Sequence, residues 1–132
     1  AALCRGLDSL DVCASGVAPD VIKGIRDAAI EDDAEVEVVM TERALDTIRA
    51  DPEMRGWFGD VLVAGGRILE HPGHAYLVAA CDRLAIVGLN DEAGMPRGLV
   101  ESTDGDVFDW VSSTHSRCRA EAEPVDESGF AD

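Results

Sequence analysis

The middle of the chain carries two runs of apolar residues separated by a short polar break. The runs span residues 76–80 and 84–89, and Asp82 and Arg83 lie between them. Short runs rich in Val, Ile and Leu on either side of such a break are typical of two strands that pair as a hairpin. The pattern therefore predicts a buried β-hairpin at the centre of the fold.

The hydrophobic pattern predicts further strands on both sides of this hairpin. Residues 10–14 and 35–40 alternate between polar and apolar positions or run continuously apolar, and shorter apolar segments follow at 61–63, 67–70 and 99–102. Segments of this length, bounded by polar residues or glycines, favour strands. We expect all five to join the hairpin in one sheet.

Apolar residues recur at helical spacing in three places between these strands. The first helix begins at Pro19, where the missing N–H of proline is harmless. Thr41 is a suitable N-cap for the second helix, which breaks or restarts at Pro52, and Thr103 or Asp104 caps the third. The apolar faces of the three helices contain Val21, Ile22, Ile25, Ala28 and Ala29; Ala44, Leu45, Ile48, Met54, Trp57 and Phe58; and Val107, Val111, His115 and Cys118.

If residues 67–70 are counted only as a possible additional strand, the order of these elements is β-α-β-α-β-β-β-β-α, which favours an α/β fold with a single mixed β-sheet flanked by helices. The chain has 132 residues, enough for one domain with a real core, and we assign that domain to residues 10–120. Residues 1–9 are expected to be a lead-in and residues 121–132 a flexible acidic tail. The chain does not begin with Met, and we expect it to be a piece of a longer protein.

Charge limits the possible partners more than any other feature of the composition. The chain has 27 acidic and 11 basic residues, a net charge of −16, and Lys23 as its one lysine. Such a surface is typical of extreme halophiles, because molar salt reduces the Debye length to about 3 Å and screens the self-repulsion. It would repel nucleic-acid phosphates. No apolar stretch approaches a membrane span and no signal peptide is evident, which predicts a cytoplasmic protein without membrane contact.

The segment 74–90 resembles the catalytic segment of the phospholipase D superfamily. That segment has the pattern His-x-Lys-x-x-x-x-Asp, followed by an apolar strand and a Gly-Ser-x-Asn turn. Here His74 stands at the position of the nucleophilic histidine, Tyr76 at that of the lysine and Cys81 at that of the aspartate, and residues 88–90 resemble the turn. The resemblance implies a phospholipase D-like half-domain.

The departures from that pattern argue against catalysis. Tyr76 cannot supply the fixed positive charge that stabilises a developing oxyanion, and Cys81 is a poor substitute for the carboxylate that orients the histidine. We therefore expect a domain that is not an enzyme and needs no cofactor. The alternative is a divergent phosphodiesterase-like hydrolase that keeps His74 as nucleophile and takes its positive charge from Arg43 or Arg67.

Degenerate phospholipase D-like domains form the sensor half of archaeal winged-helix transcription regulators of the TrmB and methanogenesis-regulator types. Residues 35–45, 90–94, 99–102, 108–110 and 117–120 resemble the methanogenesis-regulator type of halophilic archaea. The resemblance implies a homodimeric domain that senses an unknown small-molecule effector and controls DNA binding by an upstream helix-turn-helix domain absent from this chain. A protein-interaction or oligomerisation domain without a ligand is the other reading.

The resemblance also implies a ligand pocket at the strand ends and on the hairpin. Arg43 and Arg67 stand out in so acidic a chain, because either guanidinium could bind a ligand carboxylate or phosphate with two hydrogen bonds. Alternatively, both are surface partners of the many acidic residues. The expected ligand-binding residues are Ser15, Thr41, Arg43, Arg67, His74, Tyr76 and Asp82.

A metal site is the less favoured reading of the histidines and cysteines. His115 and Cys118 are three residues apart on one predicted helix, which would suit half a zinc or copper site. They also continue an apolar stripe, so packing against the sheet explains them equally well. A redox sensor built on Cys4 and Cys13 would need an electropositive setting that this chain lacks. The candidate ligands are His71, His74, Cys81, His115 and Cys118.

Overall fold

A computed structural model describes residues 8–17, 19–73, 77–82, 84–90 and 96–125. Strands and helices alternate along the first half of the chain. In the second half several strands follow one another before one long helix and a short last strand. In chain order the elements are β1 (Ser9–Ala14), α1 (Pro19–Ile30), β2 (Glu35–Thr41), α2 (Glu42–Ala50), α3 (Pro52–Val63), β3 (Arg67–His71), β4 (Leu77–Cys81), β5 (Leu84–Asn90), β6 (Pro96–Ser102), α4 (Gly105–Ala120) and β7 (Glu123–Val125).

The strands form one mixed sheet in the order β6-β5-β4-β1-β2-β3-β7. β1, β2 and β3 are parallel to one another, and the other neighbouring pairs are antiparallel. The helices α1, α2 and α3 are the crossovers that parallel strands require. β4 and β5 form the predicted hairpin, and β4 pairs with the central strand β1.

One face of the sheet is covered by α1, α2 and α3. The amphipathic pattern of these helices brings their apolar faces onto the even-numbered side chains of β1 and β2, such as Val12 and Val38. Phe58 of α3 and Ile22 of α1 are completely buried in this layer. It is the larger of the two cores, and most of the hydrophobic stabilisation by burial arises here.

The other face is covered by α4. Val111 and Cys118 of this helix pack on Cys13, Val39 and the neighbouring apolar side chains of β3, β4 and β5. This layer is smaller, and it is supplied by a single helix. Among the described helices, none combines the length and the apolar character that crossing a membrane requires.

The helix caps follow the sequence prediction closely. The Thr41 hydroxyl accepts a hydrogen bond from the Ala44 N–H at 3.1 Å, and the Asp51 carboxylate accepts from Glu53 N–H at 2.9 Å. Asp51 thus ends α2 and begins α3, which confirms the restart predicted at Pro52. Of the two residues proposed to cap the last helix, Asp104 is the N-cap, and its carboxylate accepts from Asp106 N–H at 2.8 Å.

Two predicted segments differ in the structure. Residues 61–63 are the last turn of α3 and not a strand, because Val61 is buried on the helix face and the chain turns only at Gly65, whose φ is +97°. The expected flexible tail does not begin at Glu121. Residues 123–125 form β7, which pairs with β3 and supplies Val125 to the larger core.

Gly66 and Gly56 offer a matched test of the packing at the end of α3. A Cβ at Gly66 would lie 2.9 Å from the Val61 carbonyl oxygen, whereas a Cβ at Gly56, within α3, would meet no atom within 4 Å. We expect Gly66→Ala to lower the free energy of unfolding by about 1–3 kcal/mol through this overlap. Gly56→Ala should raise it by about 0.5–1 kcal/mol, because alanine has the better helix propensity. Urea unfolding in molar KCl measures both, and equal effects would contradict the tight approach at Gly66.

Candidate functional site

Two neighbouring cross-strand rows on the α4 face differ sharply in chemistry. Asp11, Glu37 and Arg67 are register partners on β1, β2 and β3, so they form a polar row. Two residues further along the same strands, the corresponding positions are Cys13, Val39 and Leu69, all buried and apolar. Since side chains two residues apart share one face of a sheet, α4 covers both rows.

Glu37 is the centre of the polar row. One carboxylate oxygen, Oε2, lies 3.1 Å from Nη1 of Arg67, and the other, Oε1, lies 3.4 Å from Nη1 of Arg119 on α4. Oε1 also lies 3.7 Å from Nε2 of His115. The Glu37 side chain is mostly buried, whereas both arginines are largely exposed.

His115 is held over the polar row by α4. The residue is only 4% exposed, and its Nε2 atom has no hydrogen-bond partner within the described part of the chain. Each of the residues Asp11, Glu37 and His115 offers one atom that could bind a metal ion, and these three atoms lie within 4.8 Å of one another. We refer to these three residues as the Asp11–Glu37–His115 cluster.

Burial is the main influence on Asp11. Removal from water raises the pKa of the Asp11 carboxyl above its ordinary value of 3.8. His115 lowers this pKa, the neighbouring Glu37 carboxylate raises it again, and Arg119 and Glu35 act more weakly in opposite directions. The cluster therefore holds a carboxylate that is poorly solvated when ionised and lies beside a second one.

Sequence reasoning identified His115 but not its partners. Asp11 and Glu37 each interrupt an apolar strand at a position whose neighbours two residues along, Cys13 and Val39, point into the core. An acidic residue on the inward side of a strand is a detectable signal, because charged residues are rarely buried without a reason. The parallel register that brings the two acids side by side cannot be read from such a pattern.

The predicted pocket residues are divided between two edges of the sheet, namely the edge where the parallel strands β1–β3 end and the opposite edge where they begin. Ser15 follows β1 and Thr41 ends β2, at the edge where the parallel strands end, and Arg43 is exposed in the first turn of α2. Arg67 begins β3, and Asp82 follows β4, at the opposite edge. His74 and Tyr76 lie outside the described residues. The structure thus does not bring Arg67 and Asp82 together with Ser15 and Thr41.

Asp82 has a structural role in the hairpin turn. Its φ is +51°, and its Oδ1 accepts hydrogen bonds from the N–H groups of Asp8 at 3.1 Å and Ser9 at 2.9 Å. These bonds tie the β4–β5 turn to the beginning of β1. Aspartate suits this position because it tolerates a left-handed backbone and accepts backbone hydrogen bonds nearby.

The candidate metal ligands are also separated. His71 is buried, and its Nδ1 accepts a hydrogen bond from Gly73 N–H at 2.9 Å, which leaves Nε2–H to donate to Glu121 at 2.8 Å. Cys81 belongs to the larger core on the opposite face. Cys118 contacts Cys13, and burial raises the pKa of the Cys13 thiol far above its usual range, with a further contribution from this contact. His115 therefore belongs to a different cluster from the other described candidates.

Comparisons with known proteins identify the fold and the family. The family described as "Methanogenesis regulatory protein FilR1, middle domain" matches residues 1–121, which confirms the resemblance to methanogenesis regulators. No curated protein sequence matches the chain.

Solved structures that are similar in fold at low sequence identity include TrmBL2 and two phospholipase D-like proteins. TrmBL2, an archaeal chromatin protein with a novel mode of DNA binding, has a TM-score of 0.71 and 15% identity over 93% of this chain and 47% of TrmBL2. The phospholipase D family member Nuc from Salmonella typhimurium has a TM-score of 0.68 and 15% identity, over 95% of this chain and 86% of Nuc. NucT from Helicobacter pylori has a TM-score of 0.61 and 12% identity, over 94% and 89%. The phospholipase D-like α/β fold is confirmed, and the chain spans about half the length of TrmBL2.

Replacement of Asp11 by asparagine should stabilise the protein at neutral pH. The folded state holds the Asp11 proton more tightly than the unfolded state, so stability from this group is fully present below pH 3.8 and is lost as pH rises through the raised pKa. The Asp11→Asn variant does not suffer this loss, so its free energy of unfolding should exceed that of the parent at neutral pH. The difference should shrink as the pH falls towards 3.8. Urea unfolding against pH in metal-free buffer measures it. Asp109→Asn, at an exposed position on α4, is the control, and a pH-independent difference for Asp11→Asn would contradict the prediction.

Proposed function

Because the chain belongs to the family of FilR1 middle domains, we propose that it is the effector-sensing and dimerisation domain of an archaeal transcription regulator. In this proposal the domain performs no reaction. It binds a small effector in the cytoplasm, and the bound state alters DNA binding by a helix-turn-helix domain that precedes it in the full-length regulator.

The single observation that carries the sensing role is the Asp11–Glu37–His115 cluster. Two adjacent carboxylates and a buried imidazole lie where apolar side chains would give a more stable core, since the next row on the same strands is apolar. Folded proteins retain such groups most often at functional sites. The site lies between the sheet and α4, so a ligand bound there would contact both.

The neighbourhood of the hairpin supports a function without catalysis. Cys81, which stands at the position of the aspartate in phospholipase D enzymes, is buried among the side chains facing α1–α3. Arg67, one of the two arginines either of which could supply the positive charge in the hydrolase alternative, pairs with Glu37 at 3.1 Å. The burial of Cys81 and the Arg67–Glu37 ion pair therefore support a domain that performs no reaction.

The dimerisation role is supported by the β6 side of the molecule. β6 is one of the two outer strands of the described sheet, and an outer strand leaves backbone hydrogen-bonding groups free to pair with another chain. Val100 of β6 pairs with Val87, which packs towards α4, yet Val100 is 48% exposed. Trp110 is 47% exposed and lies about 140° around α4 from His115. We assign Val100 and Trp110 to the dimer surface.

Native mass spectrometry of the protein from its own host tests the function directly. A dimer that carries a stoichiometric small molecule or metal ion is the expected result. A bare dimer would favour an interaction domain without a ligand. A bare monomer, or turnover of a phosphodiester substrate by the unmodified chain, would refute the proposal.

The dimer surface has its own test. Trp110→Ala should weaken dimerisation by about 2 kcal/mol, or roughly 30-fold in the dissociation constant, because exposed aromatic residues dominate many interfaces. Val63→Ala is the matched control, since Val63 is 73% exposed at the end of α3 in the other layer. Sedimentation equilibrium in molar KCl gives both constants. Equal constants for the two variants would exclude Trp110 from the interface.

A further inference from the structure

We propose that the Asp11–Glu37–His115 cluster binds a divalent transition-metal ion, for which Zn²⁺ is the reference case. The proposal makes this cluster the effector site of the domain, and it therefore rests on the function proposed above. It goes beyond that function by naming the chemistry of the ligand and the three residues that hold it.

The donor set suits this class of ion. Zn²⁺ takes imidazole nitrogen and carboxylate oxygen as ligands, and three protein ligands leave a position for water or a further molecule. The other first-row divalent ions accept the same donors, whereas Mg²⁺ and Ca²⁺ prefer oxygen alone. The buried Nε2 of His115 therefore selects for a transition metal over the hard cations.

The distances also suit an ion. Two ligand atoms on one tetrahedral Zn²⁺ lie about 3.4 Å apart, given bonds of roughly 2.1 Å. His115 Nε2 and Glu37 Oε1 are 3.7 Å apart, which is too long for a hydrogen bond but close to this spacing. The ligand atoms of all three residues lie within 4.8 Å of one another, so small side-chain rotations would complete the site.

A bound ion would resolve both unfavourable features of the cluster. It would give the buried His115 Nε2 a partner, and it would neutralise the repulsion between the carboxylates of Asp11 and Glu37. Arg67 contacts the oxygen of Glu37 that faces away from His115, and so it can orient this carboxylate as outer-shell residues orient metal ligands. Arg119 contacts Oε1, the ligand atom itself, and competes with the ion for it.

The ligands connect separate parts of the fold. Asp11 lies on β1, Glu37 on β2 and His115 on α4, so the ion would join the helix to the two central strands. α4 also carries Trp110, which the proposed function assigns to the dimer surface. Metal binding and dimerisation would therefore share one structural element.

Metal titration of the chain tests the site, with Asp11→Asn as the decisive variant. The metal-stripped protein is titrated with Zn²⁺ by calorimetry in molar KCl, which suppresses weak binding to the acidic surface. The parent should bind one equivalent, and Asp11→Asn should weaken binding by at least about tenfold. The Asp11→Asn variant is expected to be more stable than the parent, so unfolding cannot explain a lower affinity for Zn²⁺. Asp109→Asn removes an equal charge from an exposed position of α4 and should change the affinity less than about twofold.

A second variant and a spectroscopic signal complete the test. Arg119→Gln should tighten binding, because it removes the cation that competes for Oε1 of Glu37. The Co²⁺-loaded chain should show the intense visible absorption of a tetrahedral site, and His115→Gln should lose it. Several weak equivalents, equal losses in Asp11→Asn and Asp109→Asn, or weaker binding by Arg119→Gln would each overturn the metal site.

Failure of this proposal is distinguishable from failure of the proposed function. If Zn²⁺ does not bind at the cluster, the metal proposal falls, and native mass spectrometry still decides whether another effector is bound. If Zn²⁺ binds as expected but the full-length regulator binds DNA equally well with and without it, the ion is not the effector. The fluorescence anisotropy of labelled operator DNA gives that comparison.

Discussion

The parallel pairing of β1 with β2 is the constraint on which both layers of this domain depend. In the observed register Val12 lies beside Val38, and Asp11 beside Glu37. A shift of one residue would exchange the two faces of a strand, placing carboxylates against α1–α3 and leaving valines under α4. The continuous apolar layer beneath three helices therefore fixes the register, and the register brings the two acids together. The polar row is thus a consequence of the same packing that stabilises the larger core.

Polar groups are satisfied unequally at the two edges of the sheet. At the edge where the parallel strands end, Thr41 caps α2, and His71 uses both ring nitrogens, one towards Gly73 and one towards Glu121. These buried groups have the partners that a stable fold requires. In the polar row, nearer the edge where the strands begin, His115 Nε2 has no hydrogen bond in the described part of the chain. This contrast, more than the number of polar residues at either edge, indicates where a ligand would be bound.

Local pattern was sufficient to predict most of the elements. The hairpin, the cap at Thr41 and the restart at Pro52 depend on a few neighbouring residues, and the structure confirms them. Residues 61–63 were assigned wrongly because three apolar residues do not distinguish a strand from the last turn of a helix that is already buried. β7 was missed because it has only three residues, one of them Pro124, and forms a strand only through pairing with β3.

The candidate site was less predictable for a related reason. His115 was identified from its place on the apolar face of a helix, which is a local property. Its neighbours Asp11 and Glu37 come from two strands whose alignment is a property of the whole sheet. The residues expected to form a pocket were chosen by resemblance along the chain, and strand direction separates Arg67 and Asp82 from Ser15 and Thr41. Contacts between distant segments therefore limit what a single sequence reveals about this site.

The C-terminal end of α4 has attachments to the sheet beyond the packing of its buried face. This end is held by the contact of His71 with Glu121 and by the pairing of β7 with β3. From Glu121, His115 lies about 9 Å along the helix axis and Trp110 about 16 Å, at 1.5 Å per residue. A small rotation of α4 about this fixed end would therefore move Trp110 nearly twice as far as His115.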